Sequence, residues 1–303
     1  MATQPAVIAP GLPAAPLARA QVGLWTDAWR RLRRNRLALV AAIYLLVLVG
    51  VALLALVWTP YRMSETAAGP PYGGPSAQHL LGLDTLGRDI LSRLMVGVQI
   101  SLIVGIGTQI VVLAVGVPLG LAAGYFRGWV DTVVSFLISV FYGIPDLLVA
   151  LILITVLSLG KPGLDKIIIA IAATRWMDMA RLTRGQTLSL REREFIEAAR
   201  SSGARRGKIL FGHLFPNALG PIIVQATFGI PQAILFEAFL SFLGLGVPPP
   251  TPSWGAMAAE GVGALRIAPH IVLAPSIALI FTLMAFNFVG DGLRDALDPR
   301  QKR

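Results

Sequence analysis

Two acidic residues, Asp146 and Glu237, lie within otherwise apolar segments and are the side chains best placed to interact with a solute. A charge at the centre of a bilayer costs at least about 2.5 to 3.5 kcal/mol, so such residues face protein or water and often mark a substrate or ion path. Both are also expected near outer helix ends, where a capped or solvated carboxylate needs no other role. We favour this structural interpretation by about two to one and keep the translocation path as the second.

The sequence offers little for catalysis or metal binding. It contains no cysteine, and His79, His213 and His270 are too far apart for metal-ligand spacing. No Ser/His/Asp or Cys/His combination can be proposed, and no Gly-x-x-x-x-Gly-Lys-Ser/Thr loop is present to hold ATP phosphates. The sequence therefore predicts no catalytic residue, no metal site and no cofactor bound by this chain.

One charged, helix-favouring segment, residues 191–217, stands out from its apolar surroundings. Good helix formers continue to Arg200, Gly203 then allows a corner, and a second short helical run is expected to end at Pro216. Small Ala198 and Ala199 leave one side flat for a close approach by another protein. The pattern fits an L-shaped knob and a surface-lying amphipathic helix about equally well.

Composition identifies the protein class. Of the 303 residues, 55% are hydrophobic and only 14% charged, and the mean hydropathy is +0.71. These values are typical of an integral membrane protein. The net charge of +10 does not indicate nucleic acid, because the basic residues cluster beside apolar segments as membrane orientation requires.

The apolar runs predict an all-α polytopic membrane protein with six transmembrane helices. These spans are expected at about 37–58, 100–124, 132–157, 167–173 with its continuation, 219–242 and 271–289. The third is interrupted at 143–146, where Pro145 should kink it, and the fourth should leave the membrane as a basic stem, 181–191. The loop between the first two spans contains a turn and an amphipathic helix at 79–94, interpreted as a solvated cap.

The predicted organisation has four parts. Residues 1–36 form a cytosolic tail, which is disordered to about residue 21, followed by a basic amphipathic helix on the inner membrane surface. Residues 37–98 form the first span and the outer loop. Residues 99–292 form a core of five further transmembrane helices that includes the segment 191–217, and residues 293–303 form a cytosolic tail. Both termini are expected in the cytosol, because only six of the 26 basic residues then fall outside, as the positive-inside rule requires: Arg62, Arg88, Arg93, Lys161, Lys166 and Arg266.

Three sequence stretches resemble one protein family. Glu197-Ala198-Ala199, Gly203 and the run His213-Leu-Phe-Pro216-Asn217 resemble the EAA loop of permease subunits of binding-protein-dependent ABC importers. The general pattern has Ile and Leu where this chain has His213 and Phe215, although His before Leu-x-Pro-Asn is usual in the dipeptide/oligopeptide/nickel branch. Residues 82–89 and 237–255 are similar to two further segments of that branch.

The resemblance implies the type I ABC importer permease fold and the role of the second, C-type permease. It implies a heterodimer with another permease, two cytosolic ATPase subunits that bind ATP and Mg, and an extracytoplasmic solute-binding protein. The knob would couple to an ATPase through Glu197, Ala198, Ala199, Gly203, His213, Pro216 and Asn217. The resemblance favours peptides as the substrate, with nickel complexes or oligosaccharides as alternatives. It places the protein in the cytoplasmic membrane of a prokaryote. No nucleic-acid partner is expected.

Two other classes of protein remain as alternatives. A secondary transporter driven by an ion gradient would use ionisable groups such as Asp146 and Glu237 near the midplane, but no internal repeat is visible and the knob would be unexplained. An intramembrane aspartyl protease is much weaker, because Phe288 stands where the Gly-x-Gly-Asp pattern before Asp291 needs glycine.

Overall fold

The computed structural model describes residues 24–66, 68–157 and 163–297, and this part of the chain is mostly helical. The predicted tail of residues 1–21 and residues 298–303 of the carboxyl-terminal tail lie outside the described residues. The helices are α1 (Leu24–Leu32), α2 (Arg36–Leu54), α3 (Ile90–Phe126), α4 (Gly128–Tyr142), α5 (Asp146–Leu157), α6 (Leu164–Arg191), α7 (Glu194–Ser201), α8 (Arg206–Ile209), α9 (Phe215–Phe242), α10 (Trp254–Gly261) and α11 (His270–Leu297).

Four described segments are long and apolar enough to cross a membrane: α2, α3, α11 and the stretch Arg206–Phe242 that contains α9. The pair α4 and α5 becomes a fifth if it forms one bent span. Helix α6 has 28 residues, but charged side chains in its second half make it too polar to count by composition. Six spans therefore remain a prediction, with α6 as the candidate for the sixth.

Small residues on α3 allow it to pack closely along α6. Gly107 faces Ile168, Gly116 faces Met179 and Gly124 faces Thr187, so the two helices run parallel. Close approach at glycines is the usual way in which helices associate in lipid, where burial from water gives no driving force. Because α3 and α6 point the same way, α4 and α5 together must carry the chain back from one end of the bundle to the other.

The break in the predicted third span is sharper than a proline kink. Helices α4 and α5 meet at 92°. Helix α4 ends where the N–H of Gly143 donates to the carbonyl oxygens of Ser139 and Val140. Pro145 then lies immediately before α5, where its missing N–H costs nothing. The expectation of one kinked helix at 132–157 is therefore replaced by two separate helices.

The second arm of the knob also differs from the prediction, because the helix does not end at Pro216. A π-helical turn, Leu210–Leu214, joins α8 to α9, and the N–H of Phe215 bonds the carbonyl of Leu210. The wider turn accommodates the proline, which lacks an N–H and would clash with a carbonyl in a regular α-helix. The knob thus continues directly into the long helix α9.

Two ends of the bundle can now be defined. The knob end carries residues 191–214, between α6 and α9, and the cap end carries residues 59–89 with α10. Helix α10 packs on α9 and on α3 at the cap end. Gly255 contacts the backbone of Ala238 on α9. Gly97 on α3 faces the ring of Trp254, which is 1% exposed. The cap end is therefore a packed layer over α3 and α9, at the opposite end of α9 from the knob.

Candidate functional site

The corner of the knob is a helix terminus closed by Gly203. Its φ is +75°, and the N–H groups of Gly203 and Ala204 bond the carbonyls of Arg200 and Ala199 at 2.9 and 3.0 Å. This pair of bonds is the Schellman arrangement, in which a left-handed residue satisfies the last helical carbonyls. The corner predicted from the sequence is confirmed, and it depends on a conformation that favours glycine.

The outer side of the knob is open, whereas its inner side is firmly held. Glu197, Ala198 and Gly203 are exposed and Ala199 is half-buried. The inner side is a cluster of buried side chains packed under the corner: Ile196, Ile209, Leu214 and Tyr125. A small, flat outer surface on a rigid base is what docking into a groove of another protein requires.

The remaining residues predicted for coupling shape the π-helical turn. Asn217 and Pro216 are exposed and His213 is half-buried, and Asn217 Nδ2 donates to the carbonyl oxygen of His213 at 2.7 Å. That bond occupies a carbonyl in the turn where the regular hydrogen-bond pattern is interrupted. The structure thus gives these residues a local function in the joint between knob and α9, while their role in coupling stays a prediction.

The knob is attached to the end of α3 as well as to α6 and α9. Arg191 Nη1 donates to the carbonyl oxygen of Tyr125 at 2.5 Å, and Arg127 pairs with Glu192 at 2.5 Å. The second pair is about half exposed and contributes little by itself. The bond from Arg191 to the last turn of α3 makes the three helix ends and the knob one mechanical unit.

Asp146 lies deeper in the bundle than the predicted outer helix end. Its carboxylate is 3.6 Å from Arg175 Nη1, and Arg175 is eleven residues along α6, about 16 Å from its start at 1.5 Å per residue. The sequence reasoning placed Asp146 at the outer boundary because it treated residues 132–157 as one crossing. The right-angled break brings this residue to middle depth instead.

A set of polar side chains near Arg175 was missed by the sequence analysis. An open recess between three helices is lined by Gln109 on α3, Arg175 and Asp178 on α6, and Gln225 and Gln232 on α9, which we call the polar strip. The charged members were assigned to a helix leaving the membrane, since α6 read alone looks like a basic stem. Glutamines inside three apolar runs were the signal that could have revealed them.

Glu237 is separate from the polar strip and is fully buried near the cap end. Its Oε1 accepts a 2.6 Å hydrogen bond from Ser241, whose hydroxyl lies 3.1 Å from that of Ser253. Its Oε2 has no partner among the described residues. The capped carboxylate of our favoured interpretation fits this environment better than a solvated one, and a place in the path remains an untested prediction for Glu237.

The expected solvated cap instead contains a buried ionic network. Asp84 and Arg93 are 3% and 2% exposed; both Arg88 and Arg93 pair with Asp84, and both also bond Glu260 on α10, at 2.6 and 2.9 Å. Burial alone would raise the pKa of Asp84, but backbone N–H groups of Arg88 and Leu86 and the charges of Arg93 and Arg88 lower it below its ordinary value. Sequence spacing could not show that Glu260, 167 residues or more from the arginines, completes the network.

Comparisons with known proteins agree with these features. The family model described as "Binding-protein-dependent transport system inner membrane component" matches residues 116–303, which include the knob. A second model, "N-terminal TM domain of oligopeptide transport permease C", matches residues 23–71.

Relatives match along almost the whole chain. A glutathione transport system permease protein GsiD from Pectobacterium atrosepticum is 41% identical, with 92% of each chain covered. An oligopeptide transport system permease protein OppC from Bacillus subtilis is 40% identical, covering 95% of this chain and 93% of that protein. A dipeptide transport system permease protein DppC from Alkalihalophilus pseudofirmus is 40% identical, covering 93% and 91%.

The fold is shared with a solved structure. A chain of the inward-facing MetNI methionine ABC transporter is 20% identical and superposes with a TM-score of 0.58, covering 68% of this chain and 96% of that one. At this identity the likeness concerns the fold alone.

Proposed function

The chain belongs to the binding-protein-dependent transport system inner membrane component family, and from that premise we propose that it is one of two permease subunits in an ABC importer of peptides. It is a multi-pass membrane protein that serves transport. The knob carries this proposal, because a rigid corner with an open, small-residue surface between two long helices suits a subunit that receives motion from a partner. The match to a permease C model supports the second of the two permease positions.

In this proposal the knob docks on a cytosolic ATPase subunit, with Glu197, Ala198, Ala199 and Gly203 at the contact. The knob end and both termini are cytosolic, as the distribution of basic residues favours. ATP and Mg are bound by two ATPase subunits, and this chain has no ATPase site of its own. Closing of the ATPase pair moves the knob, and α6 and α9 transmit that motion to the rest of the bundle.

Peptides are the substrate we infer, since the relatives at 40 to 41% identity are named for oligopeptide, dipeptide and glutathione transport. An extracytoplasmic solute-binding protein would deliver the peptide to the cap end. Affinity then resides mainly in that partner, so this chain needs only weak contacts along the path. Nickel complexes and oligosaccharides remain the alternative cargoes of the same machinery.

Affinity purification of the chain from its native membrane tests the proposal. Mass spectrometry should recover a second permease, an ATPase and a solute-binding protein, and the complex should hydrolyse ATP. Cells that carry the complex should accumulate radiolabelled alanine peptides of two to five residues, or glutathione, and stop when ATP is depleted. Recovery of the chain without an ATPase, with uptake that instead follows a proton or sodium gradient, would make the secondary transporter the better account.

A further inference from the structure

We propose that Arg175 binds the carboxylate of a peptide as it crosses the membrane and returns to Asp146 when the peptide leaves. This inference rests on the proposed function and assigns a substrate contact within it. It concerns the polar strip, defined above as Gln109, Arg175, Asp178, Gln225 and Gln232, together with the neighbouring Asp146.

Arg175 has hydrogen-bond donors without a partner at middle depth in the bundle, where an unpaired donor is costly. Among the described residues, the only carboxylate within 4.0 Å of its guanidinium is that of Asp146, at 3.6 Å, which is too long for a hydrogen bond. Its Nε atom is buried without a partner in the same part of the chain, and its guanidinium lies 5.4 Å from the centre of the Phe236 ring. The Nε atoms of Arg93 and Arg191 are also unpaired, but both of those arginines make other hydrogen bonds, whereas Arg175 makes none among the described residues. Because buried donors are normally paired, this guanidinium is suited to an absent partner.

Arg184, about two and a half turns further along the same helix, shows what a fully engaged arginine looks like here. It donates to both carboxylate oxygens of Asp131, at 2.5 and 2.9 Å. The contrast shows that the packing of α4 against α6 permits a close bidentate pair. The Arg175–Asp146 contact, with Asp146 at the start of α5, is longer than a hydrogen bond, which leaves the Arg175 side chain free to change partner.

The chemistry of the strip matches a peptide. Guanidinium and carboxylate form bidentate, charge-assisted pairs, and the terminal carboxylate is present on every linear peptide regardless of its side chains. Amides at Gln109, Gln225 and Gln232 offer donors and acceptors to a peptide backbone without selecting a sequence. Asp178, bonded to the hydroxyl of Tyr142, adds one negative charge beside them.

The strip is half of a site. The recess has a cavity volume of only about 10 Å³, roughly room for one water molecule, so it holds no peptide by itself. Gln232 is exposed and Arg175, Asp178 and Gln225 are half-buried, which leaves them available to a second permease facing them. A weak, open contact suits transit, because a substrate held tightly at middle depth would not be released.

The test uses the assembled importer in cells and the alanine peptide or glutathione that the wild type accumulates. We expect Arg175→Gln to lower the maximal uptake rate by about tenfold, the scale of one lost charge-assisted hydrogen bond. The KM should change little, because the binding protein sets it. ATP hydrolysis stimulated by the loaded binding protein should persist, and Arg175→Lys should recover part of the uptake.

Variants of Asp146 separate substrate binding from a structural ion pair. If Arg175 serves the peptide, Asp146→Asn removes only the group to which Arg175 returns, so uptake falls less than in Arg175→Gln while ATP hydrolysis persists, and the double variant Arg175→Gln/Asp146→Asn is as slow as Arg175→Gln alone. If the pair is structural, both single variants lose uptake and ATP hydrolysis together and the double variant regains them, which overturns the inference. Arg181→Gln is the matched control, since Arg181 also stacks on a ring, that of Tyr142 at 4.2 Å, and should keep most of its uptake.

Failure of the proposed function gives a different result. If the wild-type complex imports none of these peptides although it is assembled and hydrolyses ATP, the peptide proposal fails and the carboxylate contact falls with it. If the wild type imports a peptide and Arg175→Gln does so at the same rate, only the inference about Arg175 is overturned.

Discussion

The contact between α3 and α6 depends on Gly120, and replacing it with alanine measures how close the two backbones are. A Cβ atom at this position would lie 2.5 Å from the carbonyl oxygen of Ala180 and 2.9 Å from the backbone nitrogen of Arg184. Neither backbone atom can rotate away. Ordinary contacts begin near 3.4 Å, so the helices must separate by about 0.9 Å at this level.

The expected cost follows from two opposing effects. Overpacking of this kind destabilises by about 1 to 3 kcal/mol, while replacing a helical glycine with alanine favours folding by about 1 kcal/mol. Gly120→Ala should therefore lower the free energy of unfolding by about 1 kcal/mol, and a larger residue should lower it further. Gly185→Ala on α6 is the matched control, because no atom lies within 4 Å of its added Cβ; it should stabilise by up to about 1 kcal/mol.

Unfolding by SDS of the purified chain in a mild detergent provides the assay, followed by the fluorescence of its six tryptophans. The two substitutions are chemically identical, so the difference between them reports on the atoms packed against Gly120, which belong to Ala180, Thr183 and Arg184. Equal stability of Gly120→Ala and Gly185→Ala would refute the close contact.

Three further predictions concern other parts of the molecule. Gly203→Val places a β-branched residue at φ +75°, at a cost of at least about 1 to 2 kcal/mol. This variant should release the ATPase in pull-down experiments and abolish uptake, whereas Gly207→Ala should do neither. Normal uptake in Gly203→Val would contradict the coupling role. The lowered pKa of Asp84 stabilises the fold fully above about pH 4, and this stabilisation is lost as the pH falls through the pKa of Asp84 in the folded protein. Acid should therefore destabilise the wild type more than Asp84→Asn in the same SDS assay. Equal losses in the two proteins would argue against the ionic role of Asp84. Glu237→Gln keeps an acceptor for Ser241 and should leave peptide uptake within about twofold, whereas a large loss would return Glu237 to the path.

Local sequence signals predicted those features whose cause is local. The Gly203 corner followed from one residue type at the end of a helix-favouring run. Composition was sufficient for the all-helical membrane class. In each case a few neighbouring residues determine the outcome, so no knowledge of distant contacts was needed.

The errors arose where distant parts of the chain meet. The depth of Asp146 depends on a right-angled break that brings it to Arg175, and the burial of Arg93 depends on Glu260 from α10. The helix continues through Pro216 because a π-helical turn absorbs the proline, a local solution that residue types alone do not announce. These charges were interpreted as solvated because Arg175 lies 29 residues from Asp146 and Glu260 lies 167 residues from Arg93.

The two helices that hold the knob also carry most of the polar strip, and they differ in stiffness. Helix α6 runs without proline for sixteen residues, about 24 Å, from Arg175 to Arg191 beside the knob. Helix α9 contains Pro221 and Pro231, on either side of Gln225, and each removes a backbone hydrogen bond where bending is easiest. A displacement of the knob therefore moves Arg175 directly but can be partly absorbed by bending of α9. We therefore expect motion at the knob end to change the distance between Arg175 and Gln225. A peptide bound along the polar strip would have to span that distance.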